Sequence, residues 1–128
     1  MSKLKGDLGP LERAIMDEIW AHPDSDVSVR DMLGSPAGIG LAYTTVMTVL
    51  DRLWRKGYLS RRRRGRAYLY SAKRTRDEHV ETLVTEVLAG AGDRKSALLS
   101  FVRSVDDDEL DSLRQAIRQV QKERRSDR

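Results

Sequence analysis

The chain lacks cysteine altogether, which excludes disulfide bonds, thiolate metal sites and cysteine nucleophiles. It also lacks any apolar run approaching the roughly 18 residues of a membrane-spanning helix, so we expect no membrane insertion. The first residues, MSKLKGDLGP, have no apolar core of the kind that a signal peptide contains. These absences predict a cytoplasmic protein whose 128 residues suit one compact domain, or a small domain with an oligomerisation arm.

Residue patterns typical of catalysis are missing too. His22 and His79 are isolated in sequence, and neither an HxxxH nor an HExxH pair is present. The acidic residues 106–109 begin a predicted helix, where capping and the helix dipole explain them better than metal ligation does. The glycines within residues 34–40 do not form a phosphate-binding motif. We therefore expect no enzyme, with no catalytic residues, no metal and no cofactor.

Charge is abundant, and it is unevenly distributed along the chain. The net charge is +4. Residues 1–74 carry 14 Lys and Arg against 8 Asp and Glu, whereas residues 75–128 carry 10 against 12. This asymmetry points to an acidic partner for the first half alone. We predict a domain over residues 1–74 and a second over residues 75–128, with a frayed tail from Glu123 onward.

The first half predicts three helices in succession. Pro10 suits a first helical position, and apolar residues follow at helical spacing to about residue 21. Ser28 to Asp31 form a capping-box pattern that opens a short second helix. A third helix is predicted over about residues 43–56, with one wide apolar face. The residues of that face are Val46, Val49, Leu50, Leu53 and Trp54.

A basic hairpin is predicted directly after the third helix. Gly57 suits a helix C-terminus, and residues 58–62 and 67–71 are rich in Tyr, Leu and Arg on either side of a turn at Gly65. Helix, short helix, Gly/Pro loop, amphipathic helix and basic hairpin in this order predict a winged helix-turn-helix, in which the third helix enters the major groove. The predicted fold class is mainly α.

The polar face of the third helix and the hairpin form the candidate DNA-binding surface. Threonine side chains can meet base edges and thymine methyls, and arginines can reach phosphates, guanine or a narrow minor groove. The bland alternative is a solvated face, but β-branched threonines are poor helix formers there. The candidate DNA-binding residues are Arg30, Tyr43, Thr44, Thr45, Thr48, Arg52, Arg55, Arg61, Arg62, Arg63, Arg64, Arg66 and Tyr68.

The second half predicts three more helices with uncovered apolar stripes. In the last of them, apolar residues from Leu110 to Val120 follow steps of 3, 4 and 3, which is typical of a coiled-coil-like seam. Three short helices can scarcely bury this surface alone, and a second copy of the chain would cover it. The candidate dimerisation residues are Leu83, Val87, Leu98, Phe101, Val102, Leu110, Leu113, Ile117 and Val120.

Four segments closely resemble the penicillinase/methicillinase repressor family, of the BlaI/MecI type with CopY-type relatives. They are LGPLERAIMDEIW, VSVRDML, LAYTTVMTVLDRLWRKGYL and GRAYLYSA. The resemblance covers residues 8–72 closely and residues 75–121 through helix pattern alone. It implies a homodimeric, nucleoid-associated repressor whose winged domains bind double-stranded DNA at an inverted repeat, typically with TACA/TGTA half-sites, and whose C-terminal helices form the dimer.

Family members differ in how they are released from DNA. CopY-type relatives carry a C-terminal cysteine cluster for copper or zinc, and this chain has no cysteine. The β-lactam-responsive members are cleaved by a membrane sensor metalloprotease at an Asn-Phe bond. The matching bond here is Ser100–Phe101, which keeps the Phe but not the Asn. The resemblance therefore implies a candidate cleavage site at Ser100 and Phe101, and an inducing signal other than a β-lactam stays open.

Two other functions also stay open from the sequence. The chain could be a basic architectural or single-strand-binding protein that relies on phosphate contacts alone. It could equally be a protein-interaction module whose winged domain docks an acidic partner and never touches nucleic acid. Competition between DNA sequences tests the first alternative, and any DNA binding at all excludes the second.

Overall fold

The computed structural model describes residues 8–127, which form six helices and one two-stranded sheet. The elements are α1 (Pro10–Trp20), α2 (Val29–Leu33), α3 (Tyr43–Arg55), β1 (Leu59–Arg64), β2 (Ala67–Ala72), α4 (Arg76–Ala89), α5 (Arg94–Ser104) and α6 (Asp107–Ser126). The predicted mainly α class with a winged helix-turn-helix is confirmed. The chain divides into two compact units, Met1–Glu86 and Val87–Arg128. The boundary between residues 74 and 75 stays a prediction.

The first unit has one hydrophobic core, to which α1, α2, α3 and the hairpin all contribute. Its fully buried side chains include Ile15 and Ile19 of α1 and Met32 of α2. The apolar face predicted for the third helix is confirmed at Val46, Val49, Leu50 and Leu53. The prediction is wrong for Trp54, which lies at the edge of the apolar stripe and is 37% exposed.

Local capping signals determine where the helices begin and end. The predicted capping box of α2 is confirmed: Asp31 N donates to Ser28 Oγ, and Ser28 N donates to Asp31 Oδ2, both at 3.0 Å. Such reciprocal bonds satisfy backbone donors that the first turn of a helix leaves unpaired. After α3, Gly57 has φ +89°, a conformation that glycine adopts without steric cost.

The turn between α2 and α3 is closed by a backbone approach that admits only glycine. A Cβ at Gly38 would lie 2.0 Å from the carbonyl oxygen of Met32. Gly38 N also donates to Ser35 O at 3.1 Å, within the same turn. Gly38 therefore sets the separation between the end of α2 and the loop that leads into α3.

We call residues 59–72 the wing. Its strands are antiparallel and pair from Leu59 with Ala72 to Arg64 with Ala67, so the turn consists of Gly65 and Arg66. Gly65 has φ +62°, as the first position of a type II′ hairpin turn requires. On its other edge, β2 exchanges two backbone hydrogen bonds with Val27, at 2.7 and 2.8 Å. The predicted hairpin is confirmed.

The second unit contains α5, α6 and the end of α4, and no described residue of it is buried. The predicted caps are present, since Asp93 accepts from Ser96 N at 3.3 Å and Asp106 accepts from Glu109 N at 2.9 Å. Helix α6 extends past Glu123 to Ser126, further than the sequence predicts. Its acidic first turn and basic last turn both complement the helix dipole. None of the described helices is long and apolar enough to cross a membrane.

Candidate nucleic-acid interface

The outward face of α3 presents most of the side chains that the sequence assigns to DNA contact. Thr45 is the exception on this helix, because it is only half exposed. Arg30 is exposed on the neighbouring helix α2. A hydroxyl- and guanidinium-rich helix face of this kind offers donors, acceptors and methyl groups for base edges. The exposed candidates on α3 are Tyr43, Thr44, Thr48, Arg52 and Arg55.

Met47 belongs to the same face, and sequence reasoning missed it. Its side chain is exposed although it is apolar, and it lies beside the exposed Thr44 on the helix surface. The signal was present in the helical phase, because residue 47 lies about 60° around the helix from residue 44, outside the buried stripe. An exposed methionine here can make apolar contact with a thymine methyl group.

The arginines of the wing differ in what surrounds them. Arg62 donates through Nε to Asp26 Oδ2 at 3.0 Å and also approaches it through Nη2 at 2.8 Å. Three others are exposed and make no ion pair with any residue in the described range 8–127. These three are Arg63, Arg64 and Arg66. The arginines of the continuous basic run therefore fall into two groups, those with and those without an ion pair among residues 8–127.

Arg61 is the most enclosed arginine of the wing. Its guanidinium lies 3.5 Å from the ring centroid of Trp54 and 4.0 Å from that of Tyr68. Arg61 Nη1 donates to Asp51 Oδ1 at 3.0 Å, and the side chain is 16% exposed. Burial disfavours the charge, but hydrogen bonds to Tyr70 and Asp51 outweigh it and raise the pKa of Arg61 above its usual value.

Asp51 is an acidic residue on the surface that the sequence predicts to bind DNA, which is itself acidic. Arg55 Nε donates to Asp51 Oδ2 at 2.7 Å, while Arg61 binds the other oxygen. The hydrogen bond from Arg55 is the main cause that lowers the pKa of Asp51, and Arg61 adds to it. The Arg55 contact is an i,i+4 pair that the sequence could have revealed. The Arg61 contact joins two elements and carried no sequence signal.

Tyr68 packs on the inner side of the wing. Its ring lies between Arg61 and Arg63, whose guanidinium is 5.5 Å from the ring centroid, and it is 6.3 Å from the ring of Tyr70. Because residues 61, 63, 68 and 70 face one another in the strand register, all four side chains lie on one face of the hairpin. Tyr68 is half-buried, and its ring contacts the guanidinium groups of both arginines.

His79 is a packing residue of the first unit. Its ring lies 5.0 Å from that of Trp20 and 5.4 Å from that of Tyr58, and the residue is buried. Burial is the main cause that lowers its pKa, and the charges of Arg13 and Arg74 act in the same direction. No group of three or more His, Cys, Asp or Glu within residues 8–127 could hold a metal ion.

Ser100 and Phe101, the candidate cleavage residues, are both exposed and lie inside α5.

The candidate dimerisation residues leave an apolar surface uncovered. Four of the dimerisation candidates are half-buried, namely Leu83, Val102, Leu110 and Leu113. The other five are exposed, namely Val87, Leu98, Phe101, Ile117 and Val120.

Comparison with known structures identifies the fold. The chain is similar to MepR, a transcription regulator of the Staphylococcus aureus multidrug efflux pump MepA, with a TM-score of 0.50 and 13% identity over 93% of this chain and 82% of that one. It is also similar to a point mutant of the same MepR bound to an oligodeoxyribonucleotide, with a TM-score of 0.52 and 13% identity over 93% of this chain and 81% of that one. At this identity the likeness concerns the fold alone.

Sequence comparison identifies the family. The transcriptional regulator BlaI of Mycobacterium tuberculosis is 43% identical over 119 residues, which cover 89% of this chain and 85% of the relative. The profile of the penicillinase repressor family matches residues 8–119, which include the α3 face, the wing and most of the second unit. The chain therefore belongs to the penicillinase repressor family of transcriptional regulators and is not an enzyme.

Proposed function

We propose that the protein is a dimeric, sequence-specific repressor that binds double-stranded DNA at an inverted repeat with TACA/TGTA-type half-sites. The observation that carries this proposal is the exposed face of α3, where Thr44 and Thr48 lie uncovered next to a wing with three arginines that have no ion pair among residues 8–127. A helix supplies base contacts in the major groove, and a basic hairpin beside it supplies phosphate contacts.

Base reading falls to the first two turns of α3 in this proposal. Thr44, Met47 and Thr48 are exposed there, and hydroxyl and methyl groups match the donors, acceptors and thymine methyls of an A·T-rich half-site. Arg52 lies one turn further and is exposed without an ion pair among the described residues, so it can reach guanine or a phosphate. Arg30 and Tyr43 flank this face as backbone contacts.

Phosphate binding falls to the tip of the wing. Arg63, Arg64 and Arg66 need to break no ion pair before they bind DNA, because none of them has a carboxylate partner within residues 8–127. Each arginine that neutralises a phosphate releases counterions, which makes the affinity depend on salt. The glycine turn at Gly65 allows the wing tip to approach the backbone closely.

Homodimerisation is supported by the second unit. None of its described residues is buried, although large apolar side chains such as Phe101, Ile117 and Val120 are present on its helices. Apolar surface of this kind is normally covered by a partner. A second copy of the chain would cover it through the 3-4-3 seam of α6 and would present two winged units to the two halves of a palindrome.

The proposal includes release from DNA by proteolysis, in which a membrane sensor metalloprotease cleaves the Ser100–Phe101 bond. The bond is exposed but helical, and α5 must unwind locally before a protease can bind the segment in an extended form. Cleavage there would separate the end of α5 and all of α6 from the winged unit, which would remove most of the dimer seam and weaken DNA binding. The proposed site of action is the nucleoid in the cytoplasm.

A competition experiment tests the function. A duplex with two TACA-type half-sites about one helical turn apart should bind at least roughly 100-fold more tightly than a scrambled duplex of equal length at physiological salt. A duplex with one intact half-site is the control for dimer binding and should have intermediate affinity. Equal affinity for all three duplexes would instead favour a sequence-independent architectural protein, and absence of binding would favour a protein-interaction module.

A further inference from the structure

Arg61 connects the wing to α3 through contacts with both elements. Its partners on α3 are Asp51, at 3.0 Å, and the face of the Trp54 ring, at 3.5 Å. Its partners on β2 are the Tyr68 ring, at 4.0 Å, and Tyr70, to which it is hydrogen-bonded. Among residues 8–127, no ion pair, hydrogen bond or cation–π contact joins Arg62, Arg63, Arg64 or Arg66 to α3; Arg62 binds Asp26 and the guanidinium of Arg63 approaches Tyr68.

These contacts use properties that only arginine combines. The guanidinium is planar, so it can stack on two aromatic rings and still donate in its own plane to a carboxylate. Each cation–π contact and the charge-assisted hydrogen bond hold the side chain in one geometry. With 16% of the side chain exposed, little of Arg61 is left for a phosphate.

We propose, on the basis of the DNA-binding function proposed above, that Arg61 is a positioning residue rather than a DNA contact. Clamped between Trp54 and Tyr68 and paired with Asp51, it fixes the angle between the wing and α3, so that base reading and phosphate binding occur in register. Asp51 then strengthens operator binding, although it carries a negative charge on the DNA-facing side. The same carboxylate also holds Arg55, which couples both arginines to one acid.

The sign of the Asp51 effect separates this role from simple electrostatics. If charge alone mattered, replacing Asp51 with Asn would raise the affinity for every DNA sequence, because a repulsive carboxylate is removed. If Asp51 holds Arg61 in place, Asp51→Asn lowers operator affinity. In addition, Asp51→Asn and Arg61→Gln should be non-additive, because the two residues form one unit.

Replacement of Arg61 by lysine and by glutamine gives a DNA-binding test, with Arg64→Gln as its control. Lysine keeps the charge for a phosphate but cannot stack and donate as the guanidinium does. We expect Arg61→Lys and Arg61→Gln to lower operator affinity by a similar factor, roughly tenfold, and to lower scrambled-duplex affinity less. The control at Arg64 should behave differently: Arg64→Gln weakens both duplexes alike and makes the negative slope of log K against log salt shallower by roughly 1.

A measurement without DNA tests the clamp itself. The chain has two tryptophans; Trp20 is 8% exposed, whereas Trp54 is exposed and covered on one face by Arg61. Acrylamide quenching of the fluorescence should therefore increase in Arg61→Gln and Arg61→Lys and stay at the wild-type level in Arg64→Gln. Unchanged quenching in both Arg61 variants would overturn the clamp.

The affinity measurements and the quenching measurement together keep the positioning role distinct from the DNA-binding function. If Arg61→Lys retains wild-type operator affinity and Arg61→Gln reproduces the losses of Arg64→Gln, Arg61 is a phosphate contact and the positioning role is wrong. If the wild-type chain binds neither duplex, the proposed function is wrong, and the DNA half of this inference falls with it. The quenching arm then still decides whether Arg61 holds the wing on α3.

Discussion

Lys56 donates from Nζ to Glu12 Oε1 at 2.9 Å and thereby joins the residue that follows α3 to the first turn of α1. The same oxygen accepts a hydrogen bond from Gly9 N at 2.8 Å, which caps α1. Glu12 is buried, and its second oxygen, Oε2, is buried without a hydrogen-bond partner among the described residues. One carboxylate therefore secures both the start of α1 and the end of the helix assigned to DNA reading.

We expect Lys56→Met to destabilise the first unit more than Glu12→Gln does. The lysine variant leaves a buried carboxylate without its counter-ion, which costs about 3 kcal/mol or more. The glutamine variant removes that charge and can retain the bond from Gly9 N, so its cost is nearer 1 kcal/mol. Urea denaturation at pH 7 measures both values, and an equal loss would mean that the ion pair contributes little.

The same pair predicts how stability depends on acid. Burial opposes the charge of Glu12, but the bonds from Gly9 and Lys56 outweigh burial and lower its pKa. A carboxyl whose pKa is lowered in the folded state stabilises the protein at pH values above its pKa in the unfolded chain, which is about 4.3. This contribution is lost as the pH falls through the folded-state pKa. Glu12→Gln should therefore lose less stability than wild type below about pH 4.3.

Gly38 gives a prediction about the turn between α2 and α3. A methyl group there would collide with Met32 O, so the backbone of α2 or of the turn has to shift. We expect Gly38→Ala to lower the free energy of unfolding by about 1–3 kcal/mol. Gly34→Ala is the matched control in the same turn, because its added Cβ would lie 3.6 Å from the nearest atom at an ordinary helical φ of −83°.

The Gly34 variant should be neutral or slightly stabilising, since alanine restricts the unfolded chain. Thermal unfolding followed by circular dichroism compares the two variants directly. Equal melting temperatures for the two variants would show that the turn relaxes without cost and that Gly38 does not set its geometry.

Local features of the fold could be predicted from the sequence because their determinants are close together in the chain. The capping box joins Ser28 and Asp31, which are three positions apart, and the helical phase of α3 predicts that Val46, Val49, Leu50 and Leu53 are buried. The class of the fold followed from the order of such elements. Helix capping and the position of the apolar face both depend on residues a few positions apart, so short sequence patterns are enough to predict them.

The arrangement within the candidate site could not be predicted in the same way. Arg62 and Asp26 are 36 residues apart, and Lys56 and Glu12 are 44 residues apart, so neither pair has a sequence signature. The prediction that Trp54 belongs to the buried face is wrong, because the helical phase places it at the border between the apolar and polar faces. At this border its neighbours determine how much of it is covered, and here Arg61 covers one face of the ring. Tertiary contact therefore divides an apparently uniform arginine run into residues that hold the wing and residues that remain unpaired.

His79 predicts a loss of stability in mildly acidic solution. Burial between Trp20 and Tyr58 lowers its pKa, the charges of Arg13 and Arg74 lower it further, and Glu86 acts in the opposite direction. A histidine with a lowered folded pKa leaves stability intact above its unfolded pKa, near about 6.5, and reduces it as the pH falls below that value.

We expect His79→Phe to show a smaller difference in urea midpoint between pH 7 and pH 5 than wild type does. Phenylalanine keeps the aromatic packing and removes the titrating group. His22→Asn is the control, because His22 is the other histidine of the chain and lies exposed beside Glu18. Identical pH dependence in wild type and His79→Phe would show that another group is responsible.

The wing predicts how binding responds to salt. Replacing Arg63, Arg64 and Arg66 with Gln should weaken binding to all duplexes and make the negative slope of log K against log salt shallower by roughly 2–3. The physical reason is that each phosphate left uncontacted keeps its counterions. Fluorescence anisotropy from low to physiological salt measures the slope.

Three arginines of α6, Arg118, Arg124 and Arg125, provide the control for that triple variant, since their replacement with Gln changes the net charge equally. We expect the α6 variant to keep the wild-type slope within about one unit. If both triple variants make the slope shallower by the same amount, overall charge rather than the wing determines the salt dependence.

The seam of α6 predicts how the dimer can be broken. Leu113→Asp with Ile117→Asp places two charges in the apolar stripe, and burying an unpaired carboxylate in an interface costs several kcal/mol, about 3 or more. We expect a monomer in sedimentation experiments, with operator affinity reduced by at least roughly 100-fold and the winged unit still folded. Gln115→Asp with Gln119→Asp, on the other side of the helix and with the same change in charge, should remain dimeric. A dimeric Leu113/Ile117 variant would place the interface elsewhere on the chain.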